Sequence, residues 1–395
     1  MRRLGVALAL GSAAVGVVLN LFGRRNPWRR YPWYLAGVAT GIGGTELGAP
    51  VAATQVLAGG LAIRLGAGRT TLGRAGLTVA ASTAAGLIGL HHKSTNATAT
   101  LDAALTDAFG PNVADRPAKT TNVVAAKNIR YHDQSSEQIL DIRRPQATVT
   151  PAPVMIYVHG SSWIGGSRSQ GAHLITELAA RGWICVSIDY RLGPRNRWPT
   201  LIVDVKRAIA WVRANIAAYG GDPSFIAVTG GSAGAHLAAL AALSPNDPAF
   251  QPGFTDADTT IQAAALLYGV YDLTALNDDG QPRLRNYVRK VMFEADLADD
   301  PRTWRAASPT HRLNENAPPL FVIHGDRDEI VSVNQARRFA EHARDTTTQP
   351  FGYAELPYAH HAFDIIRSPR TKAAARAVGR FLDTARDRHL DANSE

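Results

Sequence analysis

Cysteine is all but absent from this chain: Cys185 is the one thiol in 395 residues. No intramolecular disulfide can form, and a metal cluster built on cysteine is excluded. Cys185 sits in the apolar run Trp183 to Ile188, the surroundings of a buried strand position. Acidic residues are equally scarce at the front. Residues 1 to 101 hold ten Arg or Lys (Arg2, Arg3, Arg24, Arg25, Arg29, Arg30, Arg64, Arg69, Arg74, Lys93) and one acid, Glu46, a local balance of +9. Taking these from the totals of 42 basic and 33 acidic residues leaves 32 of each, so the remainder nets to zero. The basic character belongs to the front segment. No basic face is implied for the rest, and a nucleic-acid partner is not expected. There is no internal repeat and no low-complexity segment.

What the front segment has is apolar length. Twenty residues from Leu4 to Gly23 carry no charge and are bracketed by Arg2-Arg3 and Arg24-Arg25, the length a helix needs to cross ~30 Å of hydrocarbon. Leu21-Phe22-Gly23-Arg24-Arg25 offers no small-residue cleavage site, which favours an uncleaved anchor over a signal peptide. Trp33 to Ile63 and Ala75 to Leu90 read as two further spans, though their Ala, Gly and Thr drive insertion less than Leu or Phe would. A buried helical hairpin is the alternative for them, and Glu46 with Pro50 marks a turn or break in the second stretch. Three simple crossings leave five basic residues on each side. If residues 33 to 63 enter and return, Arg24 to Arg30 and Arg64 to Arg74 share a side, seven against three, and the rest of the chain lies outside the cytoplasm. The expectation is a multi-pass membrane region over residues 1–94, with spans at 4–23, within 33–63 and at 75–90, followed by a globular domain over 95–395 whose side of the membrane stays open.

In the globular part, Thr100 to Gly110 reads as a short amphipathic helix, with Leu101, Leu105 and Phe109 on one face and Gly110-Pro111 ending it. Strands and helices then alternate. Val154 to His159, Ile184 to Tyr190, Phe225 to Thr229, Ile261 to Tyr268 and Leu320 to His324 are short apolar runs of buried-strand type. Ser169 to Arg181, Leu201 to Ala218 and Thr371 to Arg386 have helical spacing. This succession predicts an α/β fold, an open and mostly parallel sheet covered on both faces. Residues 273–316 break the alternation; polar overall but carrying Tyr287, Met292, Phe293 and Trp304, they read as a cap or lid.

Four small patterns carry chemistry. Gly230-Gly231-Ser232-Ala233-Gly234 is a G-x-S-x-G pentapeptide between a strand and a helix-forming run, the setting of a nucleophile elbow, with Ser232 as nucleophile. His159-Gly160-Ser161-Ser162-Trp163 follows an earlier strand. A turn there can aim the N–H groups of Ser161 and Ser162, joined by that of Ala233, at a developing oxyanion. His324-Gly325-Asp326-Arg327-Asp328 ends the strand at 320–324; Asp328 is the expected acid and Asp326 its rival on the same loop. Tyr358 to Phe363 supplies the base, His361 rather than His360. Adjacent histidines can suggest a metal, but successive side chains point apart and no carboxylate-rich motif accompanies them. His159 and His324, at strand ends, are expected to be structural. The order Ser232, Asp328, His361, each after a strand, is the chain order of α/β-hydrolases.

Residues about 120 to 388 resemble the hormone-sensitive-lipase-like branch of α/β-hydrolases, and more closely the actinobacterial membrane-associated Lip carboxylesterases. The resemblance rests on HGSSW at 159–163, SIDYRLGP at 187–194, GGSAGAH at 230–236, HGDRD at 324–328 and HHAF at 360–363. The chain is also similar to isoprenylcysteine methylesterases, which pair membrane spans with a GQSAGAH-type elbow. The resemblance implies hydrolysis of carboxylic esters with neither metal nor organic cofactor. Two departures stand out: HGSSW replaces the more familiar HGGGW, which makes the turn less flexible, and Gly231 stands where many relatives carry an acid.

The expected function is a serine carboxylesterase or lipase acting through an acyl-enzyme. Trp163 and Trp198, with apolar residues of the cap, could line an acyl pocket for a small lipophilic ester; plain core packing is their alternative. The same chemistry would serve a methylesterase or an amidase. The fold alone would also permit a catalytically silent, membrane-anchored binding protein, whereas a transporter is poorly served by a front segment with one acid and no repeat.

Overall fold

The computed structural model describes residues 1–25, 34–117, 123–145 and 151–394. Arg29, Arg30 and Trp33, which enter the charge and span arguments above, lie outside the described residues. The chain divides into two compact units. One comprises Met1–Thr100 with Gly325–Glu329 and Glu355–Ala373; the other comprises Leu101–His324, Ile330–Ala354 and Ala374–Glu395.

The helical unit contains α1 (Arg2–Arg24), α2 (Tyr34–Glu46), α3 (Gly48–Arg64) and α4 (Thr71–Thr95). The buried face of α1 is made largely of Gly5, Ala9, Ala13 and Gly16, and that of α4 includes Gly73, Gly76, Ala80 and Ala84. Small residues let helix backbones approach closely. A Cβ on Gly5 would stand 2.8 Å from the Ala62 carbonyl oxygen of α3. Side-chain amides join the helices: Asn20 Nδ2 donates to Thr83 O at 2.8 Å and Gln55 Nε2 to Ser12 O at 2.8 Å. The Thr70 side chain caps α4 by accepting from Gly73 N at 2.9 Å.

The three expected spans fare differently. Arg2–Arg24 is, among the described residues, the one unbroken helix long and apolar enough to cross a membrane. The second stretch is two helices bent by 80° where Glu46 meets Leu47 and Gly48, the break that Glu46 and Pro50 signalled. The third lies in α4, whose 25 residues have the length without the apolarity. A multi-pass arrangement is therefore not supported.

In chain order the remaining elements are α5 (Ala97–Phe109), β1 (Val123–Arg130), β2 (Ile139–Pro145), β3 (Ala152–Val158), α6 (Ala172–Ala180), β4 (Ile184–Ile188), α7 (Thr200–Asn215), β5 (Gly221–Gly231), α8 (Ala233–Ala242), β6 (Ala263–Leu267), α9 (Pro282–Met292), α10 (Pro301–Ala306), β7 (Leu320–Gly325), α11 (Val333–Thr346), β8 (Phe351–Leu356) and α12 (Pro369–Ala392). The eight strands form one sheet in the order β1-β2-β4-β3-β5-β6-β7-β8. Pairing from β4 through β7 is parallel, while β1 and β2 add an antiparallel end. Every residue of β3, β4, β6 and β7 is buried. That is why these strands read as continuous apolar runs and not as alternation. Each fully buried Val, Leu or Ile there contributes about 1.5–3 kcal/mol.

The strand order also locates a crevice. The chain leaves β3 for β4 on one side and returns to β5 on the other, so the carboxyl ends of β3 and β5 flank a topological switch point, where α/β sheets hold their ligands. Register pairs Val158 with Gly230. The loop that starts at His159 and the turn that starts at Gly231 therefore leave neighbouring strands at the same level.

Candidate active site

The turn from β5 into α8 is built by exclusion. A Cβ on Gly230 would come within 2.5 Å of Val158 O, and one on Gly234 within 2.1 Å of the same oxygen, so neither position accepts a side chain. Between them Ser232 has φ 56° and ψ −123°, a strained conformation for a non-glycine residue. Its N–H donates to Leu267 O at 2.9 Å and its carbonyl accepts from His236 N at 3.0 Å, so the strain is held from both sides. Ala233 begins α8, and the N–H groups of a first helical turn have no carbonyl within their own helix. At Gly231 a Cβ would stand 2.5 Å from the Tyr268 hydroxyl. Tyr268 occupies that space here.

The turn after β3 is conformationally unusual. Ser161, Ser162 and Trp163 have φ of 83°, 58° and 62°, three successive left-handed residues with no glycine among them. Ser161 and Ser162 thus adopt glycine-like angles at two of the positions where HGGGW would have placed glycine. Gln170 fixes the near end: its Oε1 accepts from Gly160 N at 3.2 Å and its Nε2 donates to Ser161 Oγ at 3.0 Å. At the far end the Tyr287 hydroxyl donates to Ser162 O at 3.2 Å, and the Trp163 indole N–H donates to His236 Nδ1 at 3.2 Å. His236 Nε2 in turn meets Ala307 O at 2.8 Å. Burial pushes His236 down to about 4, which keeps the ring neutral as that pair of bonds requires.

The acid and base loops lie in the helical unit. Asp328 Oδ2 accepts from His361 Nδ1 at 2.6 Å, with the carboxylate fully buried and the imidazole nearly so. A proton fixed on Nδ1 leaves Nε2 as the basic nitrogen. Asp326 serves the loop itself, since its Oδ1 accepts from Tyr358 N at 2.6 Å, and burial raises its carboxyl above the ordinary value. Arg327 N also donates to Ala359 O at 3.0 Å, so the two loops brace each other. His360 is buried, its Nε2 3.4 Å from Gly23 O, and desolvation drops it to about 4. The structure thus brings Asp328 to His361, and sets the Ser161-Ser162 turn beside the Ser232-Ala233 turn at adjacent strand ends.

The family model BD-FAE matches residues 140–342. The probable carboxylic ester hydrolase LipM of Mycobacterium tuberculosis is 39% identical over 410 residues, covering 97% of this chain and 93% of that protein. The chain belongs to the BD-FAE family of α/β-hydrolases. Esterase LipQ of the same organism is 47% identical to this BD-FAE hydrolase over 322 residues, 74% of this chain and 76% of LipQ. Among solved structures, a truncated carbohydrate esterase from gut microbiota matches 69% of this chain and 99% of its own with a TM-score of 0.58 at 22% identity, a likeness of fold.

Among the other side chains of this BD-FAE hydrolase, His159, His324 and Cys185 lie as the sequence indicated, whereas Gln170 and His236 went unmarked in it. Trp163 is buried in the main core, and Trp198 is half-buried with its ring 5.3 Å from Phe250 and 6.4 Å from Phe293. His159 stacks on Tyr190 at 4.4 Å, and His324 Nε2 meets Val331 O at 3.1 Å. Cys185 is buried in β4, and desolvation pushes its thiol far above the ordinary range. Gln170 and His236 carry no sequence signal of their own kind. His236 lies inside the GGSAGAH motif, whereas nothing in the pattern around Gln170 marks it.

Proposed function

We propose that the protein is a serine carboxylic ester hydrolase attached to a membrane through α1. The observation that carries this reading is the strained Ser232 at the end of β5, beside a turn after β3 held in three consecutive left-handed conformations. A fold sustains such strain where backbone N–H groups and a nucleophile must be aimed at one point. The buried Asp328–His361 pair supplies a base of matching chemistry, and the similarity to named esterases agrees.

In the proposed reaction His361 Nε2 takes the hydroxyl proton as Ser232 Oγ attacks the ester carbonyl. Asp328 stabilises the imidazolium, and the N–H groups of Ser161, Ser162 and Ala233 stabilise the oxyanion. Collapse breaks the carbonyl–alkoxy bond, and the alcohol leaves with the proton from His361. Water then repeats the sequence on the acyl-enzyme: His361 takes its proton, hydroxide adds to the carbonyl, and Ser232 leaves with the proton restored. One ester and one water become one alcohol and one acid.

The domain reading is a membrane region over 1–94 and a hydrolase domain over 95–395, with a cap over 273–316 that contains α9 and α10. Lipophilic esters fit this reading because the outward helix faces carry Leu10, Val17, Val18, Leu57 and Leu61, which favour lipid around the site's own chain.

The test is hydrolysis of p-nitrophenyl esters of rising acyl length by the full chain in detergent. Ser232→Ala is expected to lower kcat by about 10⁴-fold or more, with wild type favouring the longer acyl chains. A folded Ser232→Ala protein that keeps most of the rate sinks the mechanism; a preference for acetate over longer acids sinks the lipophilic substrate.

A further inference from the structure

Glu46, the single acid of the first 101 residues, is fully buried and carries three partners. Its Oε1 accepts from Arg370 Nη1, while its Oε2 accepts from Ser368 Oγ at 2.7 Å and Ser94 Oγ at 3.2 Å. It stands at the C-terminus of α2, the end where the helix dipole opposes negative charge. A carboxylate placed there and out of water depends on its partners. Those partners lead to the base. Arg370 closes the histidine loop, its Nη2 donating to Pro357 O at 2.8 Å while Nη1 holds Glu46. Ser368 donates to Glu46 and accepts from Thr371 N at 3.1 Å. Residues 357 to 370, with His361 among them, thus form a loop closed through Arg370 and tethered to α2. A second tether lies next to His361: the ring of His360 fits against α2 so closely that a Cβ on Gly41 would come within 2.7 Å of it.

We propose that Glu46 is a positioning residue for the catalytic histidine, setting His361 through the Arg370–Ser368 clamp, so that the front helices are part of the catalytic apparatus as well as an anchor. The proposal rests on His361 being the base. Loss of the clamp leaves the substrate's binding surface intact and loosens the nitrogen that must reach the serine hydroxyl. It therefore acts on kcat and leaves KM alone.

The experiment uses the full chain in detergent micelles with p-nitrophenyl butyrate and a fluorophosphonate, comparing wild type, Glu46→Gln, Gly41→Ala and Ser368→Ala, with Ser232→Ala and His361→Ala as controls. Glu46→Gln is expected to lower kcat by about 10- to 100-fold, the cost of a displacement near 1 Å in a catalytic group, with KM within about twofold of wild type. Fluorophosphonate labelling should slow by the same factor, since it needs the activated serine but not the substrate. Gly41→Ala, whose Cβ would also stand 2.9 Å from Phe22 O, should act in the same direction through His360 and α1. If Glu46→Gln does not fold, Ser368→Ala decides, with about a threefold loss of kcat expected at unchanged KM. Wild-type kcat in whichever folded variant decides overturns the proposal. Full activity in the His361→Ala control instead overturns the reading of the base itself, and is told apart because it does not depend on Glu46.

Discussion

In the α/β unit the large side chains are inside: Trp183, Phe225, Phe321, Phe339 and Phe381 are fully buried. In the helical unit small residues take much of the buried surface, beside buried Phe22, Leu87 and Leu90. The buried face of α1 is largely Gly5, Ala9, Ala13 and Gly16, with Phe22 and Gly23 at its end, while Leu4, Val15, Val17 and Leu21 face outward, and Val56, Leu57 and Leu61 do so on α3. Of nineteen exposed large hydrophobic side chains among the described residues, sixteen lie within residues 1–90, so the imbalance follows the unit boundary and is not scatter. A core facing water gains by hiding large apolar groups. Helices facing lipid gain nothing that way and associate through close backbone approach and side-chain amides, as at Asn20 and Gln55. Under the proposed membrane attachment, the difference would lie in the solvent against which each unit is packed.

The comparison breaks or stands on reciprocal substitutions. Phe321→Ala in β7 should cost about 3–5 kcal/mol by transfer and cavity, whereas Leu57→Ala, at 75% exposure, should lie within about 0.5 kcal/mol of wild type in detergent. The opposite change should hurt the helical unit: Gly5→Leu drives a side chain into Ala62 O and should cost about 1–3 kcal/mol. Unfolding of the full chain in micelles, followed by circular dichroism, reads all three. A Leu57→Ala penalty as large as that of Phe321→Ala would mean that the outward faces are covered by protein, and the contrast between the units would fall.

The same contrast governs what could be read from sequence. Strands β3, β4, β6 and β7 were legible because burial on both faces leaves only apolar residues in them. The elbow was legible because sterics demand glycine at Gly230 and Gly234. Strands β1 and β2 were not; their polar Lys127, Asn128, Asp141, Arg143 and Arg144 interrupt any run, since the antiparallel end of the sheet is less enclosed. Asp326 and Asp328 looked alike on one loop, and only side-chain direction gives His361 to Asp328 and Tyr358 N to Asp326. Glu46 read as a mark of a turn, which it is, but its partner Arg370 is 324 residues away and no local pattern can connect them.

Each unit also buries a cation, and the two are handled differently. Arg370 has a carboxylate partner, Glu46; Lys206, fully buried, donates to Ser244 O and Thr259 Oγ1. Burial pushes the Lys206 amine from 10.5 down to about 7. Between those values the unfolded chain holds a proton that the folded chain lacks, so stability rises as pH rises from about 7 to 10.5 and is level with respect to this group below that window. The slope for one such group approaches about 1.4 kcal/mol per pH unit. Lys206→Met should flatten that part of the stability profile measured by denaturant unfolding; an unchanged slope would mean that Lys206 stays charged inside the fold.

The smallest effect concerns where glycine is used. In the helical unit Gly5 sits in a regular helix and serves close contact, while in the α/β unit three left-handed positions at 161–163 have no glycine at all. Ser162 is exposed, with φ 58°, and it meets Tyr287 through its backbone carbonyl. Ser162→Gly removes the strain of a side chain at that angle, worth about 1 kcal/mol or more, and returns part of it as unfolded-chain entropy. A net gain of roughly 0.5 kcal/mol is expected, visible as a rise of about 1–2 °C in Tm. The freer turn should also aim the Ser162 N–H less well, lowering kcat about two- to fivefold with KM unchanged. A variant both more stable and equally active would show that the stiff serine turn contributes nothing to catalysis and is simply tolerated. A less stable one would show that the serine side chain holds the turn.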